Sequence, residues 1–164
     1  MIFPGHSRIS GVGSFIPKQA VSSIELMEEL KTESRFGIPK TWMDDTLGII
    51  SRRYCEETDT ASDIATIAAL RALEDAGLEP RELDGIIYCG ITGDGVEPGT
   101  AQIIQHKLGA FNAVCSDVSN ACHGFCDGMF FGDLLVRGGV EHVLVVTAEI
   151  TNVGKMVLER LSSA

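Results

Sequence analysis

The feature that most constrains this chain is a change of hydrophobic period that recurs between residues 62 and 149. SDIATIAALRALEDAG (62–77) repeats at helical spacing, and GIIYCGI (85–91) is an unbroken apolar run bounded by turn residues. TAQIIQHKL (100–108) is helical again and is stopped by Gly109, and NAVCSDV (112–118) reads as a strand. A helix from about Ala121 to Val136 and a strand at HVLVVTAE (142–149) complete the series. Short apolar runs with no polar face belong to strands covered on both sides. Strands that alternate with helices need crossover connections, so the pairings are expected to be parallel and the class α/β.

Local signals set the boundaries. Ser22 with Glu25 forms an S-x-x-E capping box that opens a short helix through IELMEEL, and Thr60 with Asp63 starts the helix that Gly77 ends. Ile64, Ala65, Ala68, Ala69, Ala72, Leu73 and Ala76 give that helix a wide small-residue face, suited to close packing on most sides. RISGVGSFIP (8–17) alternates small and apolar positions and is expected to be a strand. Residues 34–55 are irregular, with a helical turn around Trp42, and the tail ITNVGKMVLERLSSA is weakly helical.

Composition narrows the function classes. Thirteen basic against twenty-three acidic residues give a net charge of −10, and no basic cluster exceeds Arg52-Arg53, which argues against nucleic acid or an anionic membrane as partner. No apolar run approaches the roughly twenty residues that cross a bilayer. The start MIFPGHSRIS lacks the pattern of a secretory signal, so a cytoplasmic location is expected. The odd count of five cysteines, scattered through an apolar chain, reads as reduced thiols and not as a disulfide framework.

Chemistry concentrates in DVSNACHGFCDGM (117–129). Cys122 falls where a strand gives way to a helix, and oriented backbone N–H groups at a helix start favour thiolate; a buried packing thiol is the alternative. A metal site built from Cys115, Cys122, His123 and Cys126 has the spacing C-x6-C-H-x2-C, which matches no zinc ribbon or finger, so no metal is expected. Cys126, one helical turn beyond Cys122, is expected to be a helix-packing thiol, because parallel Cβ vectors about 6 Å apart make a poor disulfide.

GTAQIIQHKLGA, DVSNACHGFCDGM and LLVRGGVEHVLVVTAE together resemble the thiolase superfamily, specifically its β-ketoacyl-acyl carrier protein synthase III group. ISGVGSFIP, TWMDDTLGI and the helix ending LEDAGL follow that pattern in order, so the resemblance covers residues 8 to about 150. It implies one thiolase-like half over residues 1–164, with a mixed, mostly parallel five-stranded sheet, helices on its faces, and the C-terminal half absent. It also implies that Cys122 is the acyl-accepting nucleophile and that Trp42 stacks on the adenine of coenzyme A. The substrates would be acyl-coenzyme A and malonyl-acyl carrier protein thioesters, with no further cofactor, in fatty acid or polyketide synthesis. Oxyanion stabilisation would come from the N–H of Cys122 and a later glycine.

Two positions depart from the pattern. Thr46 stands where a coenzyme A-binding arginine is usual, with Arg52 and Arg53 nearby in sequence, and Glu97 replaces a bulky apolar residue before Pro98. The histidine and asparagine that assist decarboxylation in the family lie in its second half. His6, His106, His123 and His142 offer no evident substitute, since adjacent helical residues such as Cys122 and His123 do not face each other. The expectation is therefore a nucleophile-bearing half that is inactive alone and that needs its complement. The alternative is a non-catalytic assembly or acyl-binding subunit. An apolar surface normally covered by a second half would further favour a homo-oligomer, a homodimer being the simplest.

Overall fold

The computed structural model describes residues 7–150, which fall into two compact units, residues 16–58 with Ile150, and residues 7–15 with 59–149. The helical tendency expected of the tail falls on residues 151–164, and His6 also lies outside the described residues.

In the smaller unit, β1 (Gln19–Ser22) and β2 (Ser51–Tyr54) pair antiparallel, with Gln19 opposite Tyr54 and Ser22 opposite Ser51. Helix α1 (Ser23–Glu29) starts on the expected capping box. The Glu25 N–H donates to Ser22 Oγ at 3.1 Å, and the Ser22 N–H donates to the Glu25 carboxylate at 2.9 Å. The buried Ser23 hydroxyl donates to the Ile49 carbonyl, tying the start of α1 to the loop before β2. Helix α2 (Thr32–Phe36) ends on Gly37, whose φ of 66° no β-carbon would favour. Trp42 leads into a single wide helical turn, Met43–Leu47, so the turn expected at this tryptophan begins just after it.

The larger unit carries the α/β core. Strands β3 (Gly85–Tyr88), β4 (Val114–Asp117) and β5 (Val143–Val146) form a parallel sheet in the order β4-β3-β5. Gly85 lies beside both Val114 and Val143, and Tyr88 beside both Asp117 and Val146. Every residue of β3 is buried, as its unbroken apolar run requires of a central strand. Helices α3 (Ala61–Ala76) and α4 (Thr100–Leu108) pack on each other, α3 meeting β5 and α4 meeting β3 and β4; α5 (Gly124–Arg137) packs on β3 and β5.

Helix α3 follows its sequence closely. The Asp63 N–H donates to Thr60 Oγ1, the Thr60 N–H returns to the Asp63 carboxylate at 3.1 Å, and Gly77 ends the helix at φ 68°. Lys107 Nζ lies 2.6 Å from Asp63 Oδ1, and hydrogen bonds from Lys107 and Thr60 hold the Asp63 carboxyl down at about 2. A carboxylate held lower in the folded than in the unfolded chain stabilises the fold above its ordinary range and loses that contribution as pH falls. Stability is thus expected to decline as pH drops from about 4 toward 2, and Asp63→Asn should flatten that part of a pH series of urea midpoints. An unchanged slope would contradict the assignment. The side chain is half exposed, so the effect is modest.

The expectations for the sheet need two corrections. The α/β class and the parallel pairings hold, but among the described residues the five strands divide into a three-stranded parallel sheet and a two-stranded antiparallel pair. Residues 8–17 form no strand, because a strand needs a partner and these residues make no backbone-to-backbone hydrogen bond among the described residues. Gly11 and Gly13 instead press on the backbone of α3. A β-carbon on Gly11 would lie 2.7 Å from the Ala76 nitrogen, and one on Gly13 would meet the Ala68 carbonyl.

Candidate active site

Parallel strands gather their C-terminal ends on one edge, and in open α/β sheets that edge is where ligands bind. Cys122 lies there, beyond the end of β4. The chain turns sharply over Asn120–His123, with the His123 N–H donating to the Asn120 carbonyl at 2.9 Å and the Gly124 N–H to the Ala121 carbonyl at 3.2 Å. Ala121, next to the cysteine, has φ 43°, a left-handed conformation that alanine rarely adopts and that costs roughly 1 kcal/mol or more. Strain of this kind persists where surrounding structure demands it, and it sets Cys122 in the turn, exposed, ahead of α5. The helix therefore starts at Gly124, not Ala121, and Cys122 is a turn residue preceding it.

The other thiols differ. Cys89 is buried against α5, and burial pushes its thiol up to about 11. Burial also raises the Cys115 thiol, and Cys55 is buried in the smaller unit. Cys126 corrects an expectation, since it is exposed on α5 and packs nothing inward. The residues of α5 that face the sheet are Gly124, Gly128 and Gly132, all buried, while Phe125, Met129, Phe130, Phe131, Leu134 and Leu135 are exposed to between 38% and 46%. Among the described residues no group of three or more His, Cys, Asp or Glu is placed to hold a metal ion.

The same edge is held by a polar network that sequence reasoning missed. The Glu149 carboxylate, just after β5, accepts from the Ile91 N–H at 2.7 Å and from Thr92 Oγ1 at 2.9 Å. The Tyr88 hydroxyl donates to the Ala148 carbonyl at 2.9 Å and approaches that of Thr92; burial drives its phenol well above the usual range. The Asp117 carboxylate, at the end of β4, accepts from the Thr100 and Ala101 N–H groups at 2.7 and 2.8 Å and so caps α4. A cap of this type contributes about 1 kcal/mol. Asp94 accepts from the Ser62 N–H at 2.9 Å. Together these groups pin the loop 91–99, which carries Glu97, over the sheet edge. Glu97, Gln102, Cys115 and Asp117 border a cleft of about 340 Å³. The legible signal was an acidic residue at the end of each of two strand motifs, SDV and TAE.

Among the described residues no histidine is placed as a base for Cys122. His123 Nε2 lies 3.6 Å from Asp127 Oδ1, and Asn120 Nδ2 donates to the same carboxylate at 2.7 Å. His106 lies in the last turn of α4 with its ring 6.2 Å from that of Phe111. His142 precedes β5, its N–H bound to Asp84 at 3.0 Å. His142 thus marks the N-terminal edge of the sheet, and four residues of strand separate that edge from the one bearing Cys122, about 13 Å.

Trp42 belongs to the smaller unit and is 40% exposed. Thr46 sits in the turn that follows it. In the same unit Arg52 Nη2 lies 3.2 Å from Met43 Sδ, and its Nη1 is buried with no hydrogen-bond partner among the described residues. Arg53 is directed elsewhere, donating to the carbonyls of Pro17 and Lys18 at 3.2 and 3.0 Å.

No family model matches the chain. The chain is 38% identical over 142 residues to the β-ketoacyl-acyl carrier protein synthase III of Caldanaerobacter subterraneus subsp. tengcongensis, which covers 86% of this chain and 41% of that protein. It is 40% identical over 143 residues to the synthase III of Bordetella petrii, covering 87% and 43%. Among solved structures it is similar to 3-oxoacyl-acyl carrier protein synthase III from Xanthomonas oryzae pv. oryzae, at TM-score 0.85 and 34% identity, covering 94% of this chain and 47% of that one. OleA from Xanthomonas campestris, in cerulenin-bound form, superposes at TM-score 0.86 and 35% identity, covering 93% and 45%. The match falls on the N-terminal half of the curated relatives, so the chain spans less than half their length. The resemblance read from the motifs and the thiolase-like fold both stand.

Proposed function

We propose that this chain is the nucleophile-bearing half of an acyltransferase of the β-ketoacyl-acyl carrier protein synthase III type. The observation that carries the reading is the strained turn that sets an exposed Cys122 at the C-terminal edge of the parallel sheet, within a segment matching synthase III relatives. In the reaction, the Cys122 sulfur attacks the carbonyl of an acyl thioester, the coenzyme A or carrier thiolate leaves, and an acyl-cysteine thioester remains. Decarboxylation of a malonyl thioester then supplies the carbanion that takes up the acyl group and releases the cysteine. The N–H of Cys122 is one expected donor to the oxyanion. An acyl-coenzyme A substrate is supported by OleA from X. campestris, whose cysteine-to-serine variant was solved with bound lauric acid and lauroyl-CoA. Trp42, with its partly exposed ring, and Arg52, with an unpartnered guanidinium nitrogen, are the side chains we assign to the coenzyme A nucleotide.

The second step needs a proton-handling partner for the decarboxylating thioester; of the described histidines, His123 faces Asp127, His106 lies in the last turn of α4 and His142 stands at the opposite edge of the sheet. The 164-residue chain alone is therefore expected to accept an acyl group and to give no malonyl condensation. Condensation should appear when the C-terminal portion of a synthase III relative is co-expressed. Turnover by the purified chain alone would contradict this division of labour. The absence of acylation under any condition would favour the second reading, an acyl-binding or assembly subunit, which the missing base beside Cys122 also suits. The apolar outer face of α5 supports association with a second copy or a complementary half, and a cytoplasmic setting suits the free thiols.

A further inference from the structure

The turn that presents Cys122 is anchored at its two ends and bare between them. Before it, the Val118 N–H donates to the Tyr88 carbonyl at 2.8 Å, continuing the pairing of β4 with β3. After it, Gly124 is buried, and a β-carbon there would stand 3.6 Å from the Val118 carbonyl oxygen. Residues 119–123 between these anchors are all exposed, and Ala121 among them holds a left-handed φ of 43°. A strained conformation on an exposed stretch relaxes unless its surroundings over-determine it.

Among the described residues, two polar side-chain contacts reach this stretch, and both come from Asp127. Its Oδ2 accepts from Asn120 Nδ2 at 2.7 Å, and its Oδ1 lies 3.6 Å from His123 Nε2. The two oxygens of one carboxylate thus take up residues on either side of Cys122, and the Asn120 bond closes a loop across both the left-handed Ala121 and the cysteine. Hydrogen bonds to an ionised acceptor are the stronger class. Asp127 itself is well anchored. It lies in the first turn of α5, where unpaired N–H groups favour a negative charge, and the next residue, Gly128, is pressed against the Cys89 sulfur and Val145 of β5. A carboxylate is no activator of a thiol, because a like charge disfavours thiolate, so what Asp127 can supply to its neighbour is position.

We propose that Asp127 is the positioning residue for the nucleophile: through Asn120 and His123 it fixes the turn so that the Cys122 sulfur meets a bound thioester carbonyl along the line of attack. This role presupposes that Cys122 is the acyl acceptor. Displacing a reacting atom by about 1 Å costs on the order of a hundredfold in rate, so loss of the clamp should be felt in acyl transfer. Iodoacetamide needs an exposed thiolate and no aim, so alkylation should not be slowed.

Rates of Cys122 modification by acetyl-coenzyme A and by iodoacetamide, followed by mass spectrometry on the 164-residue chain and its variants, test the clamp. Asp127→Ala and Asn120→Ala are each expected to slow acylation by about tenfold or more without slowing alkylation. The double variant should be no slower than the slower single one, as for two ends of one bond. Asp127→Asn, whose amide oxygen still accepts from Asn120, should recover most of the acylation rate. Cys89 reports folding in every variant, since its thiol is buried between α5 and the sheet; if Asp127→Ala exposes it, Asn120→Ala, on the exposed turn, decides. Unchanged acylation in a folded variant, equal slowing with both reagents, additive losses in the double variant, or Asp127→Asn as slow as Asp127→Ala would overturn the clamp. An unsubstituted chain alkylated at Cys122 but not acylated there would instead overturn the acceptor reading, and the clamp with it.

Discussion

Cys122→Ala is expected to abolish acyl transfer from a coenzyme A thioester to the protein, whereas Cys126→Ala should leave it intact. The two thiols share exposure, so accessibility alone cannot separate them. What differs is the setting, Cys122 in a strained turn at the sheet edge and Cys126 on the outward side of α5. Alkylation gives a second contrast. Cys89, held up at about 11, carries about a hundredfold less thiolate near pH 8 than a thiol at about 9, and it is buried as well. Iodoacetamide should therefore modify Cys122 and Cys126 first, with Cys89 lagging by about two orders of magnitude and Cys115, whose thiol burial also raises, lagging behind them as well. Uniform labelling of all five thiols would mean that the core is open and that the turn has no special standing.

The second large effect lies beneath the nucleophile. A β-carbon on Gly128 would overlap the Cys89 sulfur and stand 3.0 Å from Val145 Cγ1, so α5 lies on the sheet only because this position has no side chain. Gly128→Ala should destabilise by about 1 to 3 kcal/mol through overpacking, despite the ~1 kcal/mol that alanine gains over glycine within a helix. Removing the obstructing sulfur should change the sign. In a Cys89→Ala background the same substitution is expected to be neutral or stabilising, which a double-mutant cycle of urea midpoints would read directly. Additive destabilisation in the double mutant would show that Cys89 is not the obstacle.

That contact also explains what could and could not be read from the sequence. Helix α3 was legible because its signals are local: a capping box at Thr60 and Asp63, a small-residue stripe, and a left-handed glycine at position 77. β3 was legible because both its faces are buried, which leaves an uninterrupted apolar run. Cys122 was legible as a strand-to-helix junction, although the start of α5 moved three residues because Ala121 is left-handed. The orientation of α5 was misread through Cys126. Periodicity places large apolar residues inward, but here the inward stripe is Gly124, Gly128 and Gly132, and Phe130, Phe131 and Leu134 stay exposed. An i, i+4, i+8 glycine series was the available signal of a close approach to another backbone. The β1–β2 pair joins residues about thirty positions apart, and segment 8–17 has the alternation of a strand without a partner. Pairing is a non-local property that a period cannot reveal.

The central claim is that Cys122 accepts an acyl group, and mass spectrometry of the chain after incubation with acetyl- and octanoyl-coenzyme A tests it most directly. The account predicts one acyl adduct, on the peptide containing Cys122, labile to hydroxylamine as a thioester is and absent from Cys122→Ala. An unmodified Cys122 with both donors, or equal modification of Cys122 and Cys126, would contradict it.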